Sequence, residues 1–525
     1  MTRSVCFQTD SEVRRDNLSA EFPAELTPGQ SEIPRFARND TAIGTRNDTC
    51  PGLGMTRFQS IFSNLIRHKV KIVMAETNLE QIAKDLVDKA TAAGASAADV
   101  VVLEGEEFST ALRLGKIEKL KEASSKGLGL RVFIGTQSAS AYSSDFSPSS
   151  LQTLARRTLE MARETSEDPA SGLAEPALLG RYEGDLALYC PDVGALSTEE
   201  RIGYARRAEE AALASDPRIR NSEGAWYESN VGTKVYATST GFVGSYRGSY
   251  CSVAVSPIAQ AEPGAGMERD YWYSVARSVE ALEPPEEVGR KAAARALRRL
   301  GARKVSTRQV PVIFDSETAS SLVGHIFAAV RGDAIYRKAS FLTGKLGQPV
   351  AGENVTVLDD GLRPGGFGSR PFDDEGIPSS TTTVIERGVL QSYLLNSYSA
   401  RKLGLKTTGN ASRALAGAPS VGPKNFYLKP GAESPEEIIR SVKDGFYVTE
   451  LIGFGVNVVT GDYSRGAAGL WIENGELTYP VHEVTIAGNL PDILNHVEMI
   501  GNDLEFRRAV TSPTLRVGGL TVAGA

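Results

Sequence analysis

The chain has 525 residues, of which 41% are hydrophobic and 23% are charged, and its formal net charge is -6 with a pI near 5.6. These values are ordinary for a globular protein, and the length suits two to four domains of roughly 150 residues. The acidic balance argues against a nucleic-acid surface, and no apolar run approaches the ~20 residues that a membrane helix needs. We therefore expect a cytoplasmic protein.

The first 73 residues differ from the rest of the chain. They lack the compact apolar core of a secretory signal, and they are too rich in acidic residues for a mitochondrial presequence. We predict that residues 1–73 are a disordered or mis-called leader, with Met74 as a candidate for the true start. The leader holds three potential ligands that are therefore poor candidates: Cys6, Cys50 and His68.

An N-terminal α/β domain is predicted over residues 77–167. Asn78 can cap a helix with an apolar stripe at helical spacing, and Ser147-Pro148 opens a second helix. Alternating or continuous apolar residues between the two helices predict strands. These strands are expected at residues 99–103, 110–114, 127–136 and 139–144.

Residues 187–300 are predicted to form a middle α+β domain. Its first helix runs from Ser197 to Ala214 and opens with Ser-Thr-Glu-Glu, the spacing of a capping box. A strand-rich region follows from Ile219 to Arg277, where tyrosine, serine and glycine suit antiparallel strands. A helix from Glu286 to Leu300 closes the domain.

The C-terminal domain, residues 307–525, is predicted to be mostly antiparallel β. A short apolar strand over Val310–Phe314 precedes a helix that begins at Ser316 and runs to about Ala329. Short apolar segments separated by glycines predict the remaining strands. They lie at residues 448–452, 456–459, 469–473 and 481–486. The whole chain is thus predicted to be an α+β protein.

Ligands for a catalytic metal are scarce in this sequence. A zinc site needs about three ligands from histidine, cysteine and carboxylates. His325 lies on the predicted helix, but Ile326 and Val330 occupy the places of the glutamate and second histidine of an HExxxH pattern. His325 is better interpreted as a hydrogen-bonded or surface histidine. His482 and His496 remain a less favoured ligand pair, since they fall on different elements.

Other catalytic patterns are also missing from the sequence. It contains neither a GxSxG nucleophile elbow nor a GxxxxGK[ST] phosphate loop. The four cysteines are far apart and form no CxxC pair, so neither a disulfide framework nor a zinc knuckle is predicted. We therefore predict no catalytic, cofactor-binding or metal-binding residue in this chain.

A glycine-dense segment around residues 361–376 is the strongest binding candidate. Glycines permit close approach of another chain, and the two phenylalanines are predicted to anchor the loop in an apolar pocket. A hairpin over Thr381–Leu395 with a turn at Arg387-Gly388 suits peptide binding by strand addition, although a purely structural loop is an equal alternative. The candidate partner or peptide contacts are Gly365, Gly366, Phe367, Gly368 and Phe372.

Two interpretations are open for the neighbouring acidic triplet Asp373-Asp374-Glu375. One interpretation is a site for a hard cation, but successive side chains on extended backbone point to opposite faces. A solvated acidic turn, or a salt link to Arg363 or Arg370, is therefore the favoured interpretation.

Several long motifs resemble one known family. The run Asp359–Ser412, with Tyr336-Arg337-Lys338 and Gly266–Tyr271 upstream, resembles the TldD/PmbA family and most closely its PmbA, or TldE, branch. Glu167-Asp168-Pro169 with the nearby Gly172-Leu173-Ala174 is similar to the same branch. The resemblance extends from Thr77 to the C-terminus and omits the leader.

The resemblance implies a cytoplasmic zinc peptidase that acts as a TldD–TldE heterodimer on unfolded peptides. In that family the zinc lies in the TldD subunit, on two histidines of an HExxxH helix and a later cysteine. The chain lacks both features, and no cysteine follows Cys251. The resemblance therefore implies a non-catalytic subunit whose TldD-like partner supplies the zinc. The alternative is a stand-alone peptide-binding or regulatory protein without protease activity.

Overall fold

The computed structural model describes residues 78–524, so the predicted leader lies outside the described residues. The predicted α+β class is confirmed. The helices of the described part are α1 (Leu79–Ala92), α2 (Pro148–Arg163), α3 (Asp192–Ala195), α4 (Thr198–Ala214), α5 (Pro285–Leu297), α6 (Ser316–Val330), α7 (Gly332–Tyr336), α8 (Ser397–Leu403), α9 (Pro435–Arg440) and α10 (Leu490–Asn495).

The strands of the same part are β1 (Ala97–Arg113), β2 (Lys116–Ile134), β3 (Gln137–Ser143), β4 (Ile219–Thr238), β5 (Val243–Gln260), β6 (Met267–Arg269), β7 (Trp272–Ala276), β8 (Arg308–Phe314), β9 (Val357–Asp360), β10 (Thr381–Glu386), β11 (Val389–Leu390), β12 (Ala411–Ser412), β13 (Ser420–Val421), β14 (Asn425–Leu428), β15 (Asp444–Ile452), β16 (Asp462–Glu473), β17 (Glu476–Asn489), β18 (Val497–Ile500), β19 (Val510–Thr511) and β20 (Leu515–Ala523).

One antiparallel sheet of seven strands runs through the first half of the described chain. Its order is β3-β2-β1-β4-β5-β6, and β7 also pairs with β5. Strand β1 is continuous, so the prediction of two separate strands within it was wrong. Its pairing with β2 on one side and β4 on the other keeps the intervening polar residues extended. The domain bounds 77–167, 187–300 and 307–525 stay predictions.

Helices α4 and α5 pack on one face of this sheet. The predicted capping box is confirmed, because Ser197 accepts a hydrogen bond from the Glu200 amide at 3.3 Å and the Glu200 carboxylate accepts one from the Ser197 amide at 2.7 Å. Such a box satisfies two amides that the helix itself leaves unpaired. Helix α5 begins at Pro285, a position in the first turn that proline favours.

The second half of the described chain is mostly antiparallel β, as predicted. One sheet has the order β17-β16-β15-β8-β20-β18, and β17 also pairs with β20, so five of its strands close on themselves. A second sheet has the order β11-β10-β9-β14-β19. The predicted strand at 456–459 was wrong: these residues belong to the β15–β16 loop, where a single bridge joins Val456 to Tyr463.

Helix α6 lies against both of these sheets and contributes much of the largest apolar core. Asp315 caps it by accepting a hydrogen bond from the Thr318 amide at 2.8 Å. Leu322 and Phe327 are buried, and the Phe327 ring lies edge-on to Phe426 of β14 at 5.5 Å. The described helices include none long and apolar enough to cross a membrane.

Candidate functional site

His325 lies on the face of α6 that is directed toward strand β16. Its ring is edge-on to the ring of Tyr463, with the centroids 6.1 Å apart. Ser321, one helical turn earlier, accepts a hydrogen bond from Arg465 Nη1 at 3.4 Å. Arg465 Nε also donates to the Ile452 carbonyl oxygen at 3.3 Å. The helix and the strand thus bring together an imidazole, a phenol and a guanidinium.

Two polar atoms of this cluster have no hydrogen-bond partner within the described chain. They are His325 Nε2 and the Tyr463 hydroxyl, and both are buried. The prediction of a hydrogen-bonded or surface histidine was therefore wrong at Nε2. Burial lowers the pKa of His325 to about 4, and the positive charge of Arg465 adds to the effect. The imidazole is therefore neutral at neutral pH.

The residues around His325 do not fit a zinc ion. Ile326 and Val330 offer no side-chain ligand atom, and the charged group that acts on the imidazole is the Arg465 guanidinium, which repels a cation. Within residues 78–524, no three His, Cys, Asp or Glu side chains are grouped so as to hold a metal. His482 is half-buried on β17, and His496 is exposed after α10 with its Nδ1 2.7 Å from the Asp492 carbonyl oxygen.

The glycine-rich loop, residues 361–376, is packed against its own chain. The Gly366 and Phe367 carbonyl oxygens accept hydrogen bonds from Arg277 at 2.9 and 3.3 Å. The Gly368 amide donates to Asn425 Oδ1 at 3.0 Å, and a Cβ at this glycine would lie 2.1 Å from the Lys424 carbonyl oxygen. Only glycine permits so close a backbone approach.

The five predicted contact residues divide by exposure. Gly366 and Phe372 are buried, while Gly365, Phe367 and Gly368 are half-buried. Phe372 fills an aromatic pocket, edge-on to Phe242 at 5.3 Å and to Tyr246 at 5.5 Å. The Phe372 anchor is therefore confirmed. Contact with a partner or peptide stays a prediction.

The acidic triplet is buried, so the prediction of a solvated turn was wrong. Asp373 accepts hydrogen bonds from the amides of Glu375, Ile377 and Ala411 at 2.9 to 3.0 Å. Its pKa is raised to about 7 by burial and by the negative charge of Glu375. Glu375 Oε2 accepts from the Ser397 amide at 2.7 Å. These bonds tie the glycine-rich loop to the segments that follow it.

Asp374 has a salt link, but its partner is not one of the predicted arginines. Lys234 Nζ of strand β4 lies 2.5 Å from Asp374 Oδ1. Burial alone would raise the pKa of Asp374, yet Lys234 and Arg370 together hold it below its usual value. The triplet therefore connects the glycine-rich loop to the seven-stranded sheet.

A buried ion network beside the triplet was not predicted from the sequence. Asp99 of β1 accepts hydrogen bonds from Arg131, Arg413 and the Tyr236 hydroxyl, the last at 3.1 Å. Burial alone would raise the pKa of Asp99, but the two arginines lower it. The one signal in the sequence was that Asp99 immediately precedes the apolar run Val100–Leu103. A charge that is buried with such a run needs a partner of opposite charge.

Acidification should destabilise the fold through His325. Its pKa is 6.5 in the unfolded chain and about 4 in the folded one, so the unfolded chain takes up the proton first. The free energy of unfolding should therefore fall between pH 6.5 and 4, by up to about 3 kcal/mol from this group. Urea midpoints at pH 7 and pH 4.5 measure the effect. His325→Gln, which does not titrate, should show a smaller fall, and an equal fall would contradict the assignment.

Family models cover most of the chain. The PmbA/TldA metallopeptidase domain 1 matches residues 98–162, the central domain residues 191–300, and the C-terminal domain residues 307–524. Among solved structures, a Bacteroides thetaiotaomicron candidate modulator of DNA gyrase is 29% identical, with a TM-score of 0.79 over 85% of this chain and 99% of that one. TldE from Thermococcus kodakarensis is 19% identical and shares the fold, with a TM-score of 0.76 over 84% and 100%.

Named relatives agree with these models. Metalloprotease PmbA of Escherichia coli O157:H7 is 40% identical over 429 residues, which cover 81% of this chain and 92% of that protein. The Haemophilus influenzae PmbA homologue is 37% identical over 450 residues, covering 86% and 97%. Domain order, sequence identity and fold point the same way, and the chain belongs to the PmbA/TldD metallopeptidase family, on its PmbA (TldE) branch.

Proposed function

We propose that this chain is the non-catalytic, TldE-type subunit of a heterodimeric zinc metalloprotease that acts on unfolded peptides in the cytoplasm. A TldD-like partner supplies the zinc ion and the general-base glutamate. The observation that carries the proposal is the surroundings of His325, the one histidine of α6. Ile326 and Val330 occupy the positions of the glutamate and the second histidine, and Tyr463 and Arg465 lie beside the ring. None of these residues provides a second imidazole or a carboxylate base.

The electrostatics of α6 support the same proposal. A catalytic zinc lowers the pKa of a bound water to about 7 and needs a carboxylate to take its proton. A guanidinium beside the imidazole would instead oppose the binding of a dication. The C-terminal domain also lacks any cysteine, because none follows Cys251.

Zinc content and peptide cleavage, measured on the chain alone and with a TldD-like partner, test the proposal. We expect the lone chain to bind no stoichiometric zinc and to leave an unfolded, fluorogenic peptide intact. The complex should hold one zinc ion per heterodimer and cleave the peptide, and a chelator should abolish the cleavage.

Two results would contradict the proposal in different ways. Stoichiometric zinc with cleavage by the lone chain would make it a peptidase in its own right. Failure to associate with any TldD-like chain, shown by size-exclusion mass measurement, would favour a stand-alone peptide-binding or regulatory protein. His325→Ala serves as an internal control, because the complex should keep its zinc when this residue is changed.

A further inference from the structure

Arg465 forms no ion pair with any carboxylate in residues 78–524. It donates hydrogen bonds to the Ser321 hydroxyl and the Ile452 carbonyl oxygen, both neutral acceptors. A guanidinium is always charged, so two neutral acceptors leave its charge without a counter-ion among the described residues. By contrast, Arg308 of β8, in the same sheet, pairs with the Asp444 carboxylate at 3.2 Å.

Two neighbours of Arg465 also lack partners among the described residues. The Tyr463 hydroxyl lies two positions earlier on β16, and successive residues alternate across a strand, so the two side chains share a face. His325 Nε2 lies opposite, on α6. The guanidinium and the phenol hydroxyl are donors, and the neutral imidazole is a third donor when its proton lies on Nε2. A donor set of this kind calls for an anionic acceptor rather than a cation.

The cluster borders an exposed apolar loop. Ile452, Phe454 and Val459 of the β15–β16 loop region are 55%, 78% and 52% exposed. Ile452 is also the residue whose carbonyl oxygen accepts from Arg465. Arg465 is half-buried, whereas the Tyr463 hydroxyl and His325 Nε2 are buried, so a ligand arriving from solvent meets the guanidinium before these two atoms. An apolar peptide that carries a carboxylate would contact both the guanidinium and the exposed apolar side chains.

We propose that Arg465, Tyr463 and His325 form a binding site for a peptide carboxylate, with the apolar residues of the β15–β16 loop contacting the side chains beside it. The carboxylate is either the C-terminus of a peptide or an acidic side chain within it. The site lies on this chain alone and requires no metal. Its test is therefore independent of the heterodimer and of peptide cleavage.

Fluorescence anisotropy on the full chain with three labelled hexapeptides of leucine and alanine tests the site. One peptide ends in a free carboxylate, one is amidated, and one is amidated with an internal glutamate. We expect a charged peptide to bind about tenfold or more tightly than the neutral amide, in line with a charge-assisted hydrogen bond. The charged peptide that binds more tightly than the neutral amide identifies the source of the carboxylate. Equal or undetectable binding of all three overturns the proposal.

Variants separate a binding role from a structural one. Arg465→Met should remove the preference for the charged peptide, Arg465→Lys should keep part of it, and Arg308→Met should leave it unchanged. Tyr463→Phe should raise the thermal midpoint of the free chain, because it deletes an unpartnered buried hydroxyl, while weakening carboxylate binding severalfold. A charge preference that survives Arg465→Met in a folded chain overturns the proposal, as does a Tyr463→Phe variant with unchanged affinity.

Discussion

Replacing Asp99 by leucine should lower the free energy of unfolding by about 3–5 kcal/mol, which is the range for breaking a buried ion pair. The Asp99 carboxylate is fully buried and lies between Arg131 and Arg413. Its removal takes away the carboxylate that is paired with both guanidinium groups in a low-dielectric interior. The loss should appear as a lower urea midpoint and as earlier proteolytic cleavage near the glycine-rich loop.

An exposed ion pair provides the matched control for Asp99. Glu160 on α2 pairs with Arg156 at 2.9 Å, but both side chains are more than half exposed. Glu160→Ala should therefore cost no more than about 0.5 kcal/mol. Equal losses for the two variants would contradict the view that burial makes the Asp99 network important. Replacing Arg131 and Arg413 with methionine in the Asp99→Leu background should recover stability, because apolar residues then occupy the site.

Truncating Phe372 should be about as costly as removing Asp99. The Phe372 side chain is 1% exposed and packs edge-on against Phe242 and Tyr246. Phe372→Ala should cost about 3–5 kcal/mol, since it removes a buried ring and leaves a cavity. Chemical denaturation followed by intrinsic tyrosine and tryptophan fluorescence measures the change.

Phe367 is the matched control within the same loop. It is half-buried, and its ring lies beneath the Arg277 guanidinium at 4.9 Å. Phe367→Ala should cost only about 1–2 kcal/mol, mostly the lost cation–π contact. This variant therefore tests partner contact in a folded chain, whereas Phe372→Ala confounds assembly with stability. Similar costs for the two variants would show that the aromatic pocket is not the anchor of the loop.

Helix starts were well predicted because their causes are local. The Ser197 capping box and the first-turn prolines of α2 and α5 lie within a few residues of the amides they affect. The apolar residues of α6 recur at helical spacing, and the absence of an HExxxH pattern is visible in the order of its residues. The mostly antiparallel C-terminal domain followed from short apolar segments separated by glycines.

Predictions failed where a distant residue decides the outcome. The order Asp373-Asp374-Glu375 resembles a solvated turn, but the salt-link partner of Asp374 is Lys234 on β4. Asp99 and Arg413 are separated by 314 positions in the chain. The segment 456–459 has strand-like composition, yet it lies in a loop between two strands that pair with each other.

The features that depend on residues close together in the chain could be predicted from the sequence alone. These are the composition, the helix caps, the strand class, the family motifs and the shortage of metal ligands. Three features exist only in the folded chain. They are the burial of the acidic triplet, the pocket around Phe372, and the polar cluster of His325, Tyr463 and Arg465. The free energy of a buried charge or donor is set by the groups that surround it in space. Those groups come from strands and helices far apart in the chain, which no local pattern brings together.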